Sequence, residues 1–312
     1  MTTKRIHFLG VAAALAFAGS AVAMQFSGWA TALKIDDVGG NSSELNTPSL
    51  DGCPIQSPDG LSLYIASNRP GGLGGLDIWV ATRERSDAPW GTPQNLPEPI
   101  NSASDDFCPT PVRGSGLFFA SRRVDAGVTC GLGDIYFSRF NRNHGWSEPQ
   151  HFPCAPAGPN TILDEQGPSF VELEDNGYLY YSSSRAPAQG GFVPGDIYVS
   201  EAAGGGFGPG VAVGALNDSS ANDIQPNVRK DGRELVFSSD RAGGLGGQDI
   251  WVSSRDSTSD AWSAPLNLGG AVNTGAGESR PSLSWHGEQL LFGRAPGPEG
   301  QSDVYVSTRD KR

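Results

Sequence analysis

Five carboxylates recur along the chain, each three residues before a proline, and they are the residues best placed to do chemistry. The acids are Asp51, Asp106, Glu165, Asp223 and Glu278, and their prolines are Pro54, Pro109, Pro168, Pro226 and Pro281. Carboxylates that converge repel one another unless something neutralises them. A divalent cation with oxygen ligands would do so, and so would a basic segment of a partner. Pairs of carboxylates also hydrolyse glycosidic bonds, so Asp51, Asp106 and Glu165 are the catalytic candidates if the chain is a hydrolase.

An arginine recurs once after each acid and offers another way to neutralise the carboxylates. The set is Arg69, Arg123, Arg185, Arg241 and Arg294. Equal numbers of acids and arginines favour pairing within or between repeats over binding of a cation. We therefore predict that the acids and arginines form structural pairs. All ten residues are kept as the candidate ligand-binding set. A cation bound by the five acids is the one metal site that the sequence suggests.

Other catalytic chemistry has little support in the sequence. His7 lies in an N-terminal leader, His144 and His151 flank a predicted outer strand, and His286 falls in a predicted hairpin turn. A Ser-His-Asp triad or a histidine-bound metal would therefore lack its histidine. The chain also has no Gly-x-Ser-x-Gly elbow.

The acids and arginines belong to a longer unit that occurs five times, with 55, 59, 58 and 55 residues between successive prolines. Each unit has the acid and proline, a glycine-containing turn, an apolar segment near the arginine, a glycine-rich loop, and a segment that begins Asp-Ile-Trp or similar. A last segment opens with an aromatic residue, namely Trp90, Trp146, Phe207 or Trp262. Four short strands between turns match one propeller blade. We predict an all-β, five-bladed β-propeller with four antiparallel strands in each blade.

The chain termini are predicted to share one blade. The fifth unit ends before its fourth strand, whereas residues 28–35 parallel the fourth strand of the preceding unit at residues 262–268. The N-terminal strand would then complete the last blade and remove the open edge of the array. Residues 24–312 are accordingly expected to form a single domain. In a closed ring the five acids, which precede the innermost strands, would surround one mouth of the central channel.

The repeat resembles the TolB-type, WD-repeat-like β-propeller repeat of exported bacterial proteins. The resemblance rests on Ser57-Pro58-Asp59-Gly60, Ser67-Asn68-Arg69 and Asp77-Ile78-Trp79-Val80, with similar motifs in the other units. It extends over nearly the whole chain after the leader. TolB-like proteins in the strict sense have six blades and an additional N-terminal domain, which this chain lacks, so the resemblance implies a fold rather than their role in envelope complexes.

The aspartate that opens the Asp-Ile-Trp segment occurs in every unit, which favours a structural role. We predict that Asp77 and its equivalents accept hydrogen bonds from backbone N–H groups of the preceding loop. The loop at residues 71–77 looks superficially like a calcium-binding nonapeptide, but it is one residue too long and does not occur in tandem. We expect the protein to have no cofactor. The one ion that the sequence suggests as an alternative is Ca²⁺.

Export is predicted from residues 1–23. Lys4 and Arg5 precede an apolar stretch that is too short to span a bilayer, and Ala21-Val22-Ala23 is a cleavage site for a signal peptidase. Four cysteines in an exported protein indicate disulfides, and we favour Cys130–Cys154 and Cys53–Cys108 among the three pairings. The protein is expected in the periplasm or outside the cell.

Charge and motif content together favour a binding protein. The net charge is −12 for the whole chain, and losing the leader makes it more negative. Contact with nucleic acid or anionic membranes is therefore not expected, because both need clusters of Lys and Arg. We predict a monomeric, non-enzymatic binding or scaffolding module that takes a protein, peptide or glycan ligand at the channel mouth. The alternative is a carbohydrate-active hydrolase that uses the inner-strand carboxylates.

Overall fold

A computed structural model describes residues 26–125, 127–174, 176–184 and 194–312. Five antiparallel sheets make up the molecule. The first blade has β2 (Asp51–Gln56), β3 (Ser62–Ser67), β4 (Asp77–Thr82) and β5 (Gln94–Asn95). The second has β6 (Asp106–Val112), β7 (Gly116–Ser121), β8 (Asp134–Asn141), β9 (Gly145–Trp146) and β10 (Gln150–His151). The third has β11 (Glu165–Leu173), β12 (Asn176–Ser184), β13 (Gly195–Ala203), β14 (Gly206–Phe207) and β15 (Val211–Ala212).

The remaining strands form two four-stranded blades. The fourth blade has β16 (Asp223–Val228), β17 (Glu234–Ser239), β18 (Asp249–Ser254) and β19 (Leu266–Asn267). The fifth has β20 (Gly277–Leu283), β21 (Gln289–Ala295), β22 (Asp303–Thr308) and, from the N-terminal part of the chain, β1 (Leu33–Lys34), which a 3-10 helix follows at Ile35–Asp37. The innermost strands contact one another in the order β2, β6, β11, β16, β20 and back to β2. This closed ring confirms the predicted five-bladed β-propeller.

The N-terminal strand completes the last blade, as predicted. Leu33 lies opposite Val306 and Lys34 opposite Tyr305, in antiparallel register with β22. A hydrogen bond from the Ala30 amide to the Thr308 carbonyl extends this pairing toward the N-terminus. The edge of β22 is therefore covered, which leaves no unpaired outer edge at that strand.

The outermost strands begin later than expected. In the first and fourth blades the aromatic residue does not open the fourth strand: Trp90 precedes β5 by four positions, and Trp262 precedes β19 by the same distance. In the second and third blades, Trp146 and Phe207 lie in the short strands β9 and β14. Pro93 and Pro265 intervene, and proline has no N–H to donate to the ladder. The strand pairing starts after the proline, while the aromatic ring is buried between blades.

The hydrophobic core lies between neighbouring blades. Ile78 of the first blade packs with Leu117, Phe119 and Tyr136 of the second, and all four are almost fully buried. Burial of one such side chain contributes about 1.5–3 kcal/mol. The same kind of cluster recurs around the ring, so each blade depends on its neighbours for a place to bury its faces.

Each inner strand is interrupted just before its proline. The residue there adopts a left-handed conformation with φ between 46° and 57°, at Cys53, Cys108, Gly167, Gln225 and Arg280. The register of the ladder shifts at the same place in all five blades. This bulge turns these five residues and the prolines toward the axis, where they line a pocket of about 30 Å³.

Two disulfides join loops and inner strands. They are Cys53–Cys108 and Cys130–Cys154, which confirms the favoured pairing. The first links equivalent positions in adjacent blades and lies in the channel. Both are consistent with an oxidising compartment outside the cytoplasm. Among the described residues, no helix has the length and apolar character that a membrane crossing requires.

Candidate functional site

All five ring acids are completely buried, and they face their own blades rather than open solvent. Asp51 illustrates the arrangement: its Oδ2 accepts hydrogen bonds from the Thr47 amide at 2.6 Å and the Thr47 hydroxyl at 2.7 Å. Its Oδ1 accepts a hydrogen bond from Arg69 Nη2 at 2.6 Å. The carboxylate thus fastens the start of the inner strand to the preceding loop and to the end of the second strand.

Pairing between acids and arginines is present in four blades, as the equal numbers indicated. The pairs are Asp51–Arg69, Asp106–Arg123, Asp223–Arg241 and Glu278–Arg294, with N–O distances of 2.5–2.7 Å. Arg185 lies outside the described residues. Binding of a ligand or cation by this set stays a prediction.

Glu165 differs from the other four acids in its acidity. Burial raises its pKa to about 7, although hydrogen bonds from Ser183 and Thr161 oppose the shift. The Thr161 hydroxyl lies 2.7 Å from Oε1, and the Ser183 hydroxyl lies 2.6 Å from the same oxygen. The carboxyl group therefore exchanges its proton near neutral pH.

The repeated aspartates behave as predicted. Asp249 accepts hydrogen bonds from the Leu245 amide at 2.5 Å and the Gly246 amide at 3.2 Å. Asp134 accepts corresponding bonds from Cys130 and Gly131 at 2.8 and 3.4 Å. These residues close the glycine-rich loops, which is a structural role.

The ring acids lie at the mouth of the channel where the inner strands begin, which we call the strand-start mouth. A large cavity, which we call the strand-end cavity, lies at the opposite mouth, where the inner strands end. Its volume is about 810 Å³, and residues from all five blades line it. We define the rim as the five residues that follow the repeat prolines by four positions: Pro58, Arg113, Glu172, Lys230 and Trp285. The rim therefore carries a different residue type in every blade, in contrast to the uniform acid ring. Structural requirements that all blades share do not explain this variety.

Two carboxylates reach this cavity from neighbouring blades. Glu172 is exposed near the end of β11, and Asp231 lies in the turn after β16. A Cβ placed on Gly232 would approach Leu173 Cδ2 to 2.6 Å, so the two chain segments are in close contact. Glu172 directly precedes Leu173, and Asp231 directly precedes Gly232. The contact between Leu173 and Gly232 therefore brings the two carboxylates to the same side of the cavity.

The environment of Asp231 keeps it ionised. Burial alone would raise its pKa, but hydrogen bonds from Arg229 outweigh that effect and leave the pKa below its usual value. The Arg229 guanidinium binds both carboxylate oxygens, with Nε–Oδ1 at 2.9 Å and Nη2–Oδ2 at 2.8 Å. Bidentate contact of this kind also holds the carboxylate in one orientation.

The rim has cationic and aromatic character. Arg113 and Lys230 lie over the Trp285 ring, at 4.6 and 5.5 Å from its centroid. Arg139 lies over the Phe137 ring inside the same cavity at 5.1 Å. Among the described residues, these three cations form no ion pair with a carboxylate. The cavity thus presents cations that stack on aromatic rings and have no carboxylate partner among the described residues.

The histidines need one correction. His286 lies in the predicted hairpin turn, but this turn is at a channel mouth, because His286 Nδ1 lies 3.1 Å from Lys230 Nζ at the rim. His151 lies beside Asp134 and Cys130, an arrangement that could hold a metal. The Cys130 sulfur is bound in the disulfide to Cys154, and a disulfide sulfur does not serve as a thiolate ligand.

Sequence reasoning missed the rim because it searched for what the repeats share. The repeated position four residues after each proline was visible in the sequence, and its five different residues were the available signal. Glu172, Lys230 and Trp285 become neighbours around one cavity only when the ring closes.

The comparisons with known proteins concern the fold. No protein-family model matches the chain, and no curated protein matches it. Among solved structures, a thermostable family-43 glycoside hydrolase is similar with a TM-score of 0.54 and 13% identity, over 87% of this chain and 92% of that one. An α-L-arabinofuranosidase from Lactobacillus brevis has the same TM-score and identity, over 88% and 94%. An α-L-arabinofuranosidase from Podospora anserina, solved with cellotriose, has a TM-score of 0.54 and 13% identity, over 91% and 96%.

These findings correct two predictions. The identification as a TolB-like, WD-repeat-like protein is wrong, since the similar structures are glycoside hydrolases. The prediction of a non-enzymatic binding or scaffolding module is contradicted by the same structures. At 13% identity the likeness establishes the shared fold: the chain has the propeller architecture of these glycoside hydrolases.

Proposed function

We propose that this chain is a carbohydrate-active hydrolase that binds its glycan in the strand-end cavity. The observation that carries the proposal is the non-uniform lining of this cavity, which brings the carboxylates of Glu172 and Asp231 and the cation-covered ring of Trp285 to one place on the propeller axis. A concave site of several hundred Å³ with convergent polar groups is typical of a ligand site.

The two carboxylates have environments that suit different roles. Asp231 stays ionised because Arg229 binds it, so it can stabilise the positive charge that develops at the anomeric carbon. Among the described residues, Glu172 forms no ion pair with an arginine, and it is exposed at the cavity, so we assign it the role of the general acid at the glycosidic oxygen. Water then adds to the anomeric carbon and returns a proton to Glu172, which completes the hydrolysis.

The rim also indicates the class of glycan. Arg113 and Lys230 lie over the Trp285 ring at the cavity, and among the described residues neither forms an ion pair with a carboxylate. Unpaired cations attract anionic groups. We propose acidic glycans, whose uronate carboxylates would pair with Arg113 or Lys230, as the substrates.

The test is an assay of mature protein against acidic and neutral oligosaccharides, with release of reducing ends as the readout. Glu172→Gln and Asp231→Asn are each expected to reduce the rate by at least about 100-fold, the effect of losing a positioned acid or base. Asp87→Asn is the matched control, because Asp87 is an exposed acid on a loop that is far in sequence from both Glu172 and Asp231.

The same assay separates the earlier catalytic candidates. A role for Asp51, Asp106 and Glu165 remains a prediction, and Glu165→Gln tests it directly. Loss of activity in Glu165→Gln with full activity in Glu172→Gln would move the site to the strand-start mouth. Absence of hydrolysis across the whole panel would contradict the proposed function.

We also propose that residues 1–23 are removed on export and that residues 24–312 form one domain. The two disulfides support an oxidising destination, either the periplasm or the exterior. Intact mass of protein from cell fractions tests the point: a chain that starts at Met24 in the periplasmic or culture fraction is expected. An uncleaved chain in the cytoplasm would contradict it.

A further inference from the structure

Arg280 places a cation inside the central channel, and in the part of the chain that the structure describes its side chain has no ion-pair partner. It is the left-handed residue before Pro281, with φ of 57°, and it lines the narrow pocket of about 30 Å³ with Gln225 and the Cys53–Cys108 disulfide. Its Nε is buried and has no hydrogen-bond partner. Among the described residues, its guanidinium makes no ion pair with a carboxylate.

The chain makes specific room for this guanidinium. A Cβ on Gly52 would lie 2.8 Å from Arg280 Nη1, so a larger residue at position 52 would displace the side chain. The equivalent positions in the other blades carry Phe107, Gln166, Ile224 and Ser279. The glycine therefore occurs in the one blade against which Arg280 packs.

The surroundings of Arg280 are positive rather than negative. Burial lowers its pKa, and nearby Arg122 lowers it further. Arg122 is itself compensated, with Nη1 at 3.1 Å from Asp105 and Nη2 at 3.3 Å from Asp164. The neighbouring ring acids, Asp51 and Glu278, are bound to their own arginines. Arg280 is thus left with a charge that nothing in its surroundings balances.

A buried charge that lacks a counter-charge is costly, and proteins usually supply one. The pocket beside Arg280 has room for about two water-sized species. Gln225 Oε1 faces the same pocket without a partner and can accept a hydrogen bond from a water molecule there.

We propose that the channel binds one small monovalent anion of halide size at the Arg280 guanidinium, together with a water that Gln225 orders. This assigns an anion to the centre of the propeller, where the acid ring had suggested a cation. The anion neutralises Arg280, links it through hydrogen bonds to the channel wall, and stabilises the closed ring.

The experiment is thermal unfolding of the mature protein in sodium chloride, bromide or fluoride at constant ionic strength, with a large organic anion as the balancing salt. Chloride and bromide are expected to raise Tm by a few degrees in a saturable manner. Arg280→Gln should abolish the rise, and Gly52→Ala should weaken it by displacing the guanidinium. Arg142→Gln, which removes an exposed arginine in the turn after β8, is the matched control and should leave it unchanged.

A second measurement keeps the proposal testable if the variants fold poorly. Crystals of the unmodified protein grown in bromide should show an anomalous peak beside Arg280. An equal Tm rise in Arg280→Gln, or bromide peaks at surface sites with none in the channel, would overturn the proposal. Neither result depends on hydrolytic activity.

Discussion

Glu165 shows how one carboxyl group couples the fold to pH. Its pKa is raised from 4.5 to about 7, so the folded state holds the proton more tightly than the unfolded state. The resulting stability is complete below about pH 4.5 and is lost as the pH rises through about 7. The contribution of Glu165 protonation to the free energy of unfolding is about 3 kcal/mol at most.

The prediction is that Glu165→Gln removes this pH dependence. Between pH 4.5 and 7.5 the free energy of unfolding of the unmodified protein should fall relative to that of the variant, as measured by urea denaturation. Glu172→Gln is the control, because Glu172 is exposed at the rim and should leave the slope unchanged. Parallel curves for the unmodified protein and Glu165→Gln would contradict the raised pKa.

The Asp51–Arg69 pair allows a similar residue-level test of the acid ring. Arg69→Met leaves the Asp51 carboxylate buried without its counter-charge, which should cost about 3–5 kcal/mol in the free energy of unfolding. The exposed pair Arg85–Asp87 is the control, and Arg85→Met should cost less than about 1 kcal/mol. Equal costs for the two variants would show that the acid ring is not structural.

At the scale of the elements, the pairing of β1 with β22 determines whether the ring is closed by the N-terminal strand. Ile35 follows β1 and is 2% exposed in the core between the first and last blades, whereas Leu33 on the same strand is 55% exposed. Ile35→Ala is expected to lower the free energy of unfolding by about 2–5 kcal/mol.

Leu33→Ala is the matched control and should change the free energy of unfolding by less than about 0.5 kcal/mol. Chemical denaturation of both variants checks the pair. Similar small effects for both would mean that the N-terminal segment does not contribute to the closed ring in solution.

The elements also show which parts of the structure could be predicted. Features that recur from blade to blade could be predicted from the sequence, because their motifs repeat. They are the loop closed by the Asp of Asp-Ile-Trp, the acid–arginine pairs, and the Cys53–Cys108 disulfide between equivalent positions. The short fourth strands were placed too early, since the aromatic residues are buried before the prolines where pairing begins. The rim was missed because its residues have no shared pattern and lie far apart in sequence.

At the scale of the whole molecule, the two mouths of the channel have different chemistry. The strand-start mouth holds Arg122, which forms ion pairs with Asp105 and Asp164. The strand-end mouth opens into the cavity of about 810 Å³ with its mixed rim. Between them, the prolines and the disulfide constrict the axis. A glycan therefore has space at one mouth and not along the whole channel.

The most direct test of the account is a crystal structure of Glu172→Gln soaked with a uronate oligosaccharide. The account predicts a sugar bound in the strand-end cavity near Trp285, with a uronate carboxylate at Arg113 or Lys230. An oligosaccharide bound at the strand-start mouth, or an empty cavity at a ligand concentration that saturates binding in solution, would contradict it.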